Sequence, residues 1–320
     1  MSEIVLSLLQ KGEEQLWIDF LKESINYTFY QELGFLDYYA YKVHKVKKIV
    51  FKKNNKIIAL LPAGIVENND RFELRSPYSA SFGGFCYSPG LKLEDAFQIL
   101  KLFIEYCESE NISKIIIQQP PQIYYRDVNE YFDFVLNYYS FRIDKCDLTL
   151  YVKCTNDFIE NISATARNII RRSIKEKIKF ELTDKISEVF NLIENNKEKK
   201  GLTMTVSNKE LLDLKKRFPD DINFFVVKSG EEIICSSVIY SLNPKVMLVM
   251  FWAQKEGWEK KSPTYYLIYN LIQYGFTRGY QYLDFGTTTI DGEPVWGITN
   301  FKEKFHPNGA LRKKYLLILK

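Results

Sequence analysis

The chain has 320 residues, 46% hydrophobic and 26% charged, with a net charge of +4 at pH 7. That length suits two cores of about 150 residues each, and the mild charge demands no nucleic-acid partner while leaving room for an anionic substrate. The cysteines (Cys86, Cys107, Cys146, Cys154, Cys235) are scattered without a CxxC pair, and His44 and His306 are the only imidazoles; this argues against a disulfide framework, a metal centre and a Ser-His or Cys-His nucleophile.

The first residues, MSEIVLSLLQKGEEQ, carry neither a basic start nor a long apolar run, so no signal peptide is expected. No apolar stretch nears the roughly 20 residues that cross a bilayer. The expected location is the cytoplasm, free or peripheral at the inner face of the membrane. An amphipathic helix is predicted over 13–25, with Leu16, Phe20 and Leu21 among its apolar positions. Residues 47–66 read as a hairpin turning at Lys53-Asn54-Asn55. The loop Ser76-Pro77-Tyr78-Ser79-Ala80-Ser81-Phe82-Gly83-Gly84 follows, a helix over 93–110 with Phe97, Leu100, Phe103 and Ile104 at helical spacing, and the strand Lys114–Gln118 stopped by Pro120-Pro121. A strand pair around Tyr139–Lys153 closes the first unit, placed at 1–155.

The second unit, 156–320, opens with a helix over 157–178 and another over 185–200. A hairpin at 223–240 and the strand Val246–Ala253 come next. Ser262-Pro263 reads as N-cap and first helical residue of a helix ending near Arg278-Gly279. Tyr282–Gly286 is a buried strand, and Arg312–Leu319 the last one.

The two units echo each other. IVFKKNNKIIAL (49–60) matches FVVKSGEEIICS (225–236), and IEYCESENISKIIIQ (104–118) matches IQYGFTRGYQYLDFG (272–286). Such long-range self-similarity implies a duplicated α/β unit, and a cleft between the copies is where a substrate is expected.

Four places could carry chemistry. Arg167, Arg171 and Lys175 recur at i, i+4, i+8 beside an expected buried ridge of Ile170, Ile174 and Ile178. Such a line of charge can grip phosphate or be a solvated face. In Phe301-Lys302-Glu303-Lys304-Phe305, a lysine held between aromatics would seek an anion or a developing oxyanion; the bland alternative puts both lysines in water. Asp284, inside the apolar Tyr282–Gly286, needs a partner and serves either as a structural cap or as a group that orients or deprotonates an amine. Gly83-Gly84 permits close backbone approach, with Tyr78 lining the pocket, or is a plain turn. The acyl-CoA turn Q/R-x-x-G-x-G/A is half matched at Gln254-Lys255-Glu256-Gly257-Trp258-Glu259, where Glu259 would repel phosphate.

The order TARNIIRRSIKE, hairpin, helix, YLDFG, GITNFKEKF resembles the second half of the FemABX family, and SPYSASFGGF with IIIQQPP its first half. The family is related to the BioF2-like acyltransferases and to GNAT folds. The resemblance implies an α/β fold of α+β type: two GNAT-like domains, each a mixed, mostly antiparallel sheet flanked by helices. It also implies acyl transfer. Fem-type enzymes move an aminoacyl group from aminoacyl-tRNA to an amine of a peptidoglycan precursor, and BioF2-like proteins act in surface-polysaccharide pathways. By that likeness Lys302 would stabilise charge on the reacting carbonyl, and Arg167, or Arg171 in its place, would hold a precursor phosphate. Together with the patterns above this makes Lys302 and Asp284 the catalytic candidates, and Arg167, Arg171, Lys175, Tyr78 and Phe301 the substrate-binding ones. No metal and no resident cofactor are expected, with acyl-CoA or aminoacyl-tRNA as co-substrate and an anionic or lipid-linked glycan as acceptor. The chain departs from the family in lacking a long charged helical hairpin for tRNA, and in carrying His306-Pro307 where a glycine is usual. A non-catalytic tRNA- or glycan-binding protein is the alternative from another class.

Overall fold

The structure, a computed structural model, describes residues 3–68 and 71–319. It divides into two compact units, one formed by 1–147 with 310–320 and the other by 148–309. In chain order the elements are β1 (Ile4–Leu8), α1 (Glu14–Glu23), α2 (Leu33–Tyr38), β2 (Lys45–Lys53), β3 (Lys56–Asn68), β4 (Arg71–Ser76), β5 (Cys86–Tyr87), α3 (Leu93–Ser109), β6 (Ile112–Gln118), α4 (Tyr131–Tyr138) and β7 (Arg142–Lys153). Then come α5 (Ala164–Ile174), β8 (Lys179–Leu182), α6 (Ile186–Glu198), α7 (Asn208–Arg217), β9 (Ile222–Ser229), β10 (Glu232–Asn243), β11 (Val246–Gln254), α8 (Pro263–Thr277) and β12 (Tyr282–Thr287). The small hairpin β13 (Thr289–Ile290) and β14 (Glu293–Pro294), α9 (Trp296–Glu303) and β15 (Asn308–Ile318) complete the chain.

The first unit's sheet runs β1-β2-β3-β4-β6-β15 and the second's β8-β9-β10-β11-β12-β7. Within each path one neighbouring pair is parallel, β4 with β6 and β11 with β12; the helix between them, α3 or α8, supplies the crossover that a parallel pair needs. The echo in the sequence is an echo in register. In the first hairpin Lys52 faces Ile57 and Phe51 faces Ala59, so Ile58 is the extra residue of a bulge. In the second, Lys228 faces Ile233 and Val227 faces Cys235, which makes Ile234 the extra residue. A bulge adds local twist, so each copy bends its hairpin at the second residue of the Ile-Ile pair. The first turn is made by Asn54 and Asn55, both at positive φ (51° and 61°), a geometry asparagine tolerates and two-residue hairpins prefer.

Each sheet buries its own core. Ile49, Phe51, Leu61, Ile99, Phe103 and Ile115 belong to the first; Phe225, Ile239, Met247, Leu267, Leu271 and Leu283 belong to the second. Gly275 of α8 lies so close to its sheet that a Cβ there would sit 2.6 Å from Met247 Cε and 2.7 Å from Cys154 Sγ.

Several expectations change. The division falls at 147/148, inside β7, rather than at 155/156, and the last strand belongs to the first unit, because Tyr315 and Leu316 of β15 pair with Ile117 and Ile116 of β6. The strand pair expected around 139–153 is one long strand preceded by α4. In α1 the core face is Trp17 and Leu21, with Leu16 in solvent; Trp17 Nε1 donates to Gln31 O at 3.0 Å. The helix expected over 157–178 is a 3-10 turn, Phe158–Asn161, followed by α5. Ser163 fixes that break, its hydroxyl accepting from Ala166 N at 3.2 Å as an N-cap does. The ridge is therefore shorter than expected: Ile170 is buried, Ile174 is 47% exposed, and Ile178 is buried beyond the helix end.

Candidate active site

The second unit holds six of the seven candidate residues, and Tyr78 belongs to the first. The site is built on the end of β12. β11 accompanies β12 only through Val246–Tyr282, Met247–Leu283 and Leu248–Asp284; β11 then continues to Gln254 without it. The register of β12 against β7 also shifts between Asp284 and Thr287. Backbone groups on the side that β11 has left need other partners.

Asp284 begins the arrangement. It is fully buried, and its Oδ1 accepts from Thr149 Oγ1 and, at 2.8 Å, from Gly286 N. The second bond closes a two-residue Asx turn, and Gly286, which donates it, stands at a positive φ (75°) that glycine adopts without strain. The turn presents the carbonyls of Gly286 and Thr287 to Lys302, whose Nζ donates to them at 2.9 and 2.7 Å. Lys302 is only 3% exposed. Its helix is pinned to the same segment by the hydrogen-bonded hydroxyls of Thr288 and Thr299, and by Val295 N to Thr288 O at 3.0 Å. The expectation that Lys302 and Lys304 share a solvated face is replaced by a helical arrangement: Lys302 and Phe305 are buried and Lys304 is exposed.

Phe301 is half-buried and packs against the second core. Its ring centroid lies 5.4 Å from Tyr265, 5.5 Å from Phe305 and 6.0 Å from Trp252. These rings form one aromatic cluster.

The basic helix divides by residue. Arg167 Nε donates to Ile159 O at 3.0 Å, and its Nη2 to Glu160 O at 2.7 Å and Ile162 O at 3.3 Å. Its guanidinium thus caps the carbonyls of the 3-10 turn, a structural task. Arg171, with a 55% exposed side chain, pairs loosely with Glu160 at 3.7 Å, and Lys175 is exposed at the helix end. The start of α5 adjoins the end of α9: Ser163 N donates to Lys304 O at 3.2 Å, and His306 Nδ1 lies 3.0 Å from Asn161 O. His306 stands at φ 46°, the left-handed conformation glycine adopts without strain. That explains why the resemblance expects a glycine here.

The β11–α8 turn is arranged unlike a pyrophosphate cradle. Glu259 Oε1 accepts from Gly257 N at 3.1 Å, and Pro263 occupies the first helical position without an N–H. Ser262 stands at the N-cap position but in a left-handed conformation (φ 50°, ψ 48°) and makes no side-chain cap. Its hydroxyl lies 3.4 Å from Glu259 O and from Arg172 Nη2.

In the first unit, Tyr78 Oη donates to Leu36 O at 2.7 Å, and burial pushes the phenol pKa up, with Asp37 adding to it. Tyr78, Ser79, Phe82 and Gly83 line a small aromatic pocket with Tyr30 and Phe35. The loop folds back on the sheet, since Gly83 N donates to Gln118 O and Gly84 N to Ser76 Oγ. Sequence reasoning missed Thr149, Thr288 and Thr299. Threonine repeated in Gly286-Thr287-Thr288-Thr289 was the available signal.

Among the described residues no helix is long and apolar enough to cross a membrane. No family model matches the chain, and no curated protein matches it in sequence. Solved structures do match. FemX aligns over 98% of this chain and 97% of its own at 12% identity, with a TM-score of 0.76. L-PGS from Bacillus licheniformis aligns over 96% and 93% at 15% identity, TM-score 0.57. A tandem GNAT protein from the clavulanic acid biosynthesis pathway aligns over 99% and 98% at 5% identity, TM-score 0.56. At such identities the likeness is one of fold, and the fold of this chain is a FemABX-like tandem GNAT fold.

Proposed function

We propose that this chain is an acyltransferase that moves an acyl or aminoacyl group from an activated carrier to an amine of a cell-envelope glycan or peptidoglycan precursor. The observation that carries the reading is the buried Lys302 ammonium at the end of β12, where β11 has parted from it. Attack of an amine on a carbonyl develops negative charge on the carbonyl oxygen, and a preorganised cation in a low-dielectric site stabilises it without reorganisation. Lys302 supplies that charge. The amine becomes a nitrogen–carbonyl bond, the carrier leaves with the electron pair of the broken bond, and the amine proton passes to solvent or to a basic group of the substrate. Asp284, with Thr149 and Gly286 on its carboxylate, acts as the positioning residue for Lys302 rather than as the base. Arg171 and Lys175 are the exposed cations available to an anionic acceptor.

Between the two donors, the β11–α8 turn favours an aminoacyl carrier over acyl-CoA, since the Glu259 carboxylate already holds the Gly257 N–H that a pyrophosphate would need. The test offers the purified protein radiolabelled aminoacyl-tRNA or acetyl-CoA with amine-bearing precursors, and follows label transfer with CoA binding by calorimetry. Transfer from aminoacyl-tRNA alone, with no CoA binding, is expected. Saturable CoA binding with acetyl transfer would instead make this an acyl-CoA enzyme. Binding of tRNA or glycan with no donor consumed would make it a binding protein.

A further inference from the structure

We propose that the C-terminal half of α5, with the 259–262 turn beside it, docks the second unit on an anionic lipid surface. Residues 164–182 hold six cations and two acids, which is the whole of the chain's net charge of +4. Arg171, Arg172, Lys175 and Lys177, in and just beyond α5, are all exposed. The turn adds Lys260 and Lys261. It adjoins α5 through Ser262 Oγ, 3.4 Å from Arg172 Nη2, and through Lys261, 4.0 Å from Glu176. α8, on which α5 packs, carries no charge from Pro263 to Thr277. The acids at this end are already engaged: Glu176 with Lys261, Glu259 with Gly257 N, and Glu160 with Arg171 at 3.7 Å. Asp157, Glu303 and Lys304 lie toward the other end of the helix, where Ser163 N meets Lys304 O.

Arg171 and Lys175 stand at i, i+4 and repel each other, a cost that an anionic surface removes. Clusters of about four to eight Lys and Arg on a helix bind anionic headgroups, and two apolar features set a lipid surface apart from a nucleic acid. Ile174 is 47% exposed, one turn after Arg171 and next to Lys175. It reaches the apolar boundary of the headgroup layer when the cations meet phosphate. Trp258, half-buried in the same turn, is of the residue type that settles at a membrane interface. The Lys261 ammonium lies 5.0 Å from its ring centroid, and the ring packs against the second core. That leaves little of either face for a stacked base, the contact on which single-stranded nucleic acid sites rely. Headgroup phosphates and an acceptor phosphate offer Arg171 and Lys175 the same chemistry, but docking needs neither donor nor acceptor, so it stands or falls apart from the transfer reaction.

The test is co-sedimentation of the full chain with phosphatidylcholine vesicles holding about 30% phosphatidylglycerol, at about 0.1 M salt, where charges still act over about 10 Å. Binding that requires phosphatidylglycerol and weakens as salt is raised is expected. Each Lys or Arg at the surface contributes about 5-fold, so Arg172→Gln with Lys177→Gln should weaken binding by about 30-fold while the melting temperature holds. Ile174→Ser should weaken it by about 5-fold, a change to which a polyanion in water is indifferent. A chain that stays in solution with these vesicles overturns the proposal. So does equal binding to phosphatidylcholine alone, or binding indifferent to the double variant. Retention of tRNA through Arg172 and Lys177, by a chain that leaves the vesicles unbound, overturns it in favour of a nucleic acid.

Discussion

Lys302→Met separates what the ammonium does for the fold from what it does for the reaction. Methionine nearly matches the length of the lysine stem and keeps the apolar packing, so the change removes the charge and its two bonds to Gly286 O and Thr287 O. Hydrogen bonds from a charged donor contribute about 1.5–3 kcal/mol each. Against that loss stands relief from burying the ammonium, several kcal/mol. Gly286 and Thr287 are half-buried, so water can reach their freed carbonyls in part and the net cost falls near the low end, about 1–2 kcal/mol. For a unit of this size each kcal/mol lowers the melting temperature by about 2–4 °C, so calorimetry should show a fall of about 2–8 °C. Turnover, measured well below that transition, should fall by about 10²–10³ if the ammonium stabilises an oxyanion, with acceptor affinity little changed. Lys302→Arg, which keeps the charge, should lie between. An unchanged or raised melting temperature would refute the claim that Lys302 holds the end of β12, and wild-type turnover in the same variant would refute its role in the reaction.

Arg167→Ala should lower the melting temperature by about 4–8 °C, from about 2 kcal/mol of lost bonds to three carbonyls, whereas Arg171→Ala and Lys175→Ala leave it unchanged and weaken binding of an anionic acceptor in a titration. Gly275→Ala gains about 1 kcal/mol of helix propensity but drives its methyl into Cys154 Sγ and Met247 Cε; it should destabilise by about 1 kcal/mol net, and Cys154→Ala in the same chain should recover part of the loss in urea unfolding. Glu73, on β4, feels burial pushing its pKa up, and Arg75 and Lys114 more than reverse this, so that it lies below its usual value. Its stabilisation is therefore complete above the unfolded value of about 4.3 and is lost as pH falls through the lower folded value; acid unfolding of Glu73→Gln should show a shallower loss of stability below that pH.

Much of the fold was legible because local signals sufficed. Apolar runs on either side of Asn54-Asn55 and Gly230-Glu231 specify both hairpins, and α3 and α8 declare themselves by period. α4 was hidden because YFDFVLNY is short and mostly apolar, with Asp133 and Asn137 its polar residues, so neither period stands out. α7 was overlooked although Ser207 and Glu210 form a capping box, with Ser207 N donating to Glu210 Oε2 at 2.7 Å and Glu210 N to Ser207 Oγ at 3.1 Å. At the site, the burial of Lys302 depended on α9 being a helix: as a strand, Phe301 and Phe305 would share one face and Lys302 the other. The role of Asp284 was open in the sequence because a buried carboxylate needs donors, and one of its donors, Thr149, lies 135 residues away.

The two copies became unequal through their parallel pairs. β4 stays with β6 from Phe72–Ile112 to Ser76–Ile117, and the 77–84 loop then turns back to give Gly83 N to Gln118 O. The first unit thereby satisfies the backbone that strand parting would expose, and no cation is needed there. In the second unit the pairing of β11 with β12 ends at Leu248–Asp284, and α9 delivers Lys302 to the Gly286 and Thr287 carbonyls. A lysine is a costly way to satisfy two carbonyls, because its ammonium must be desolvated, and a neutral donor would serve the fold as well. The charge is what a neutral donor could not provide, which is the physical reason to look for the reaction at β12 rather than at the same point of the first copy.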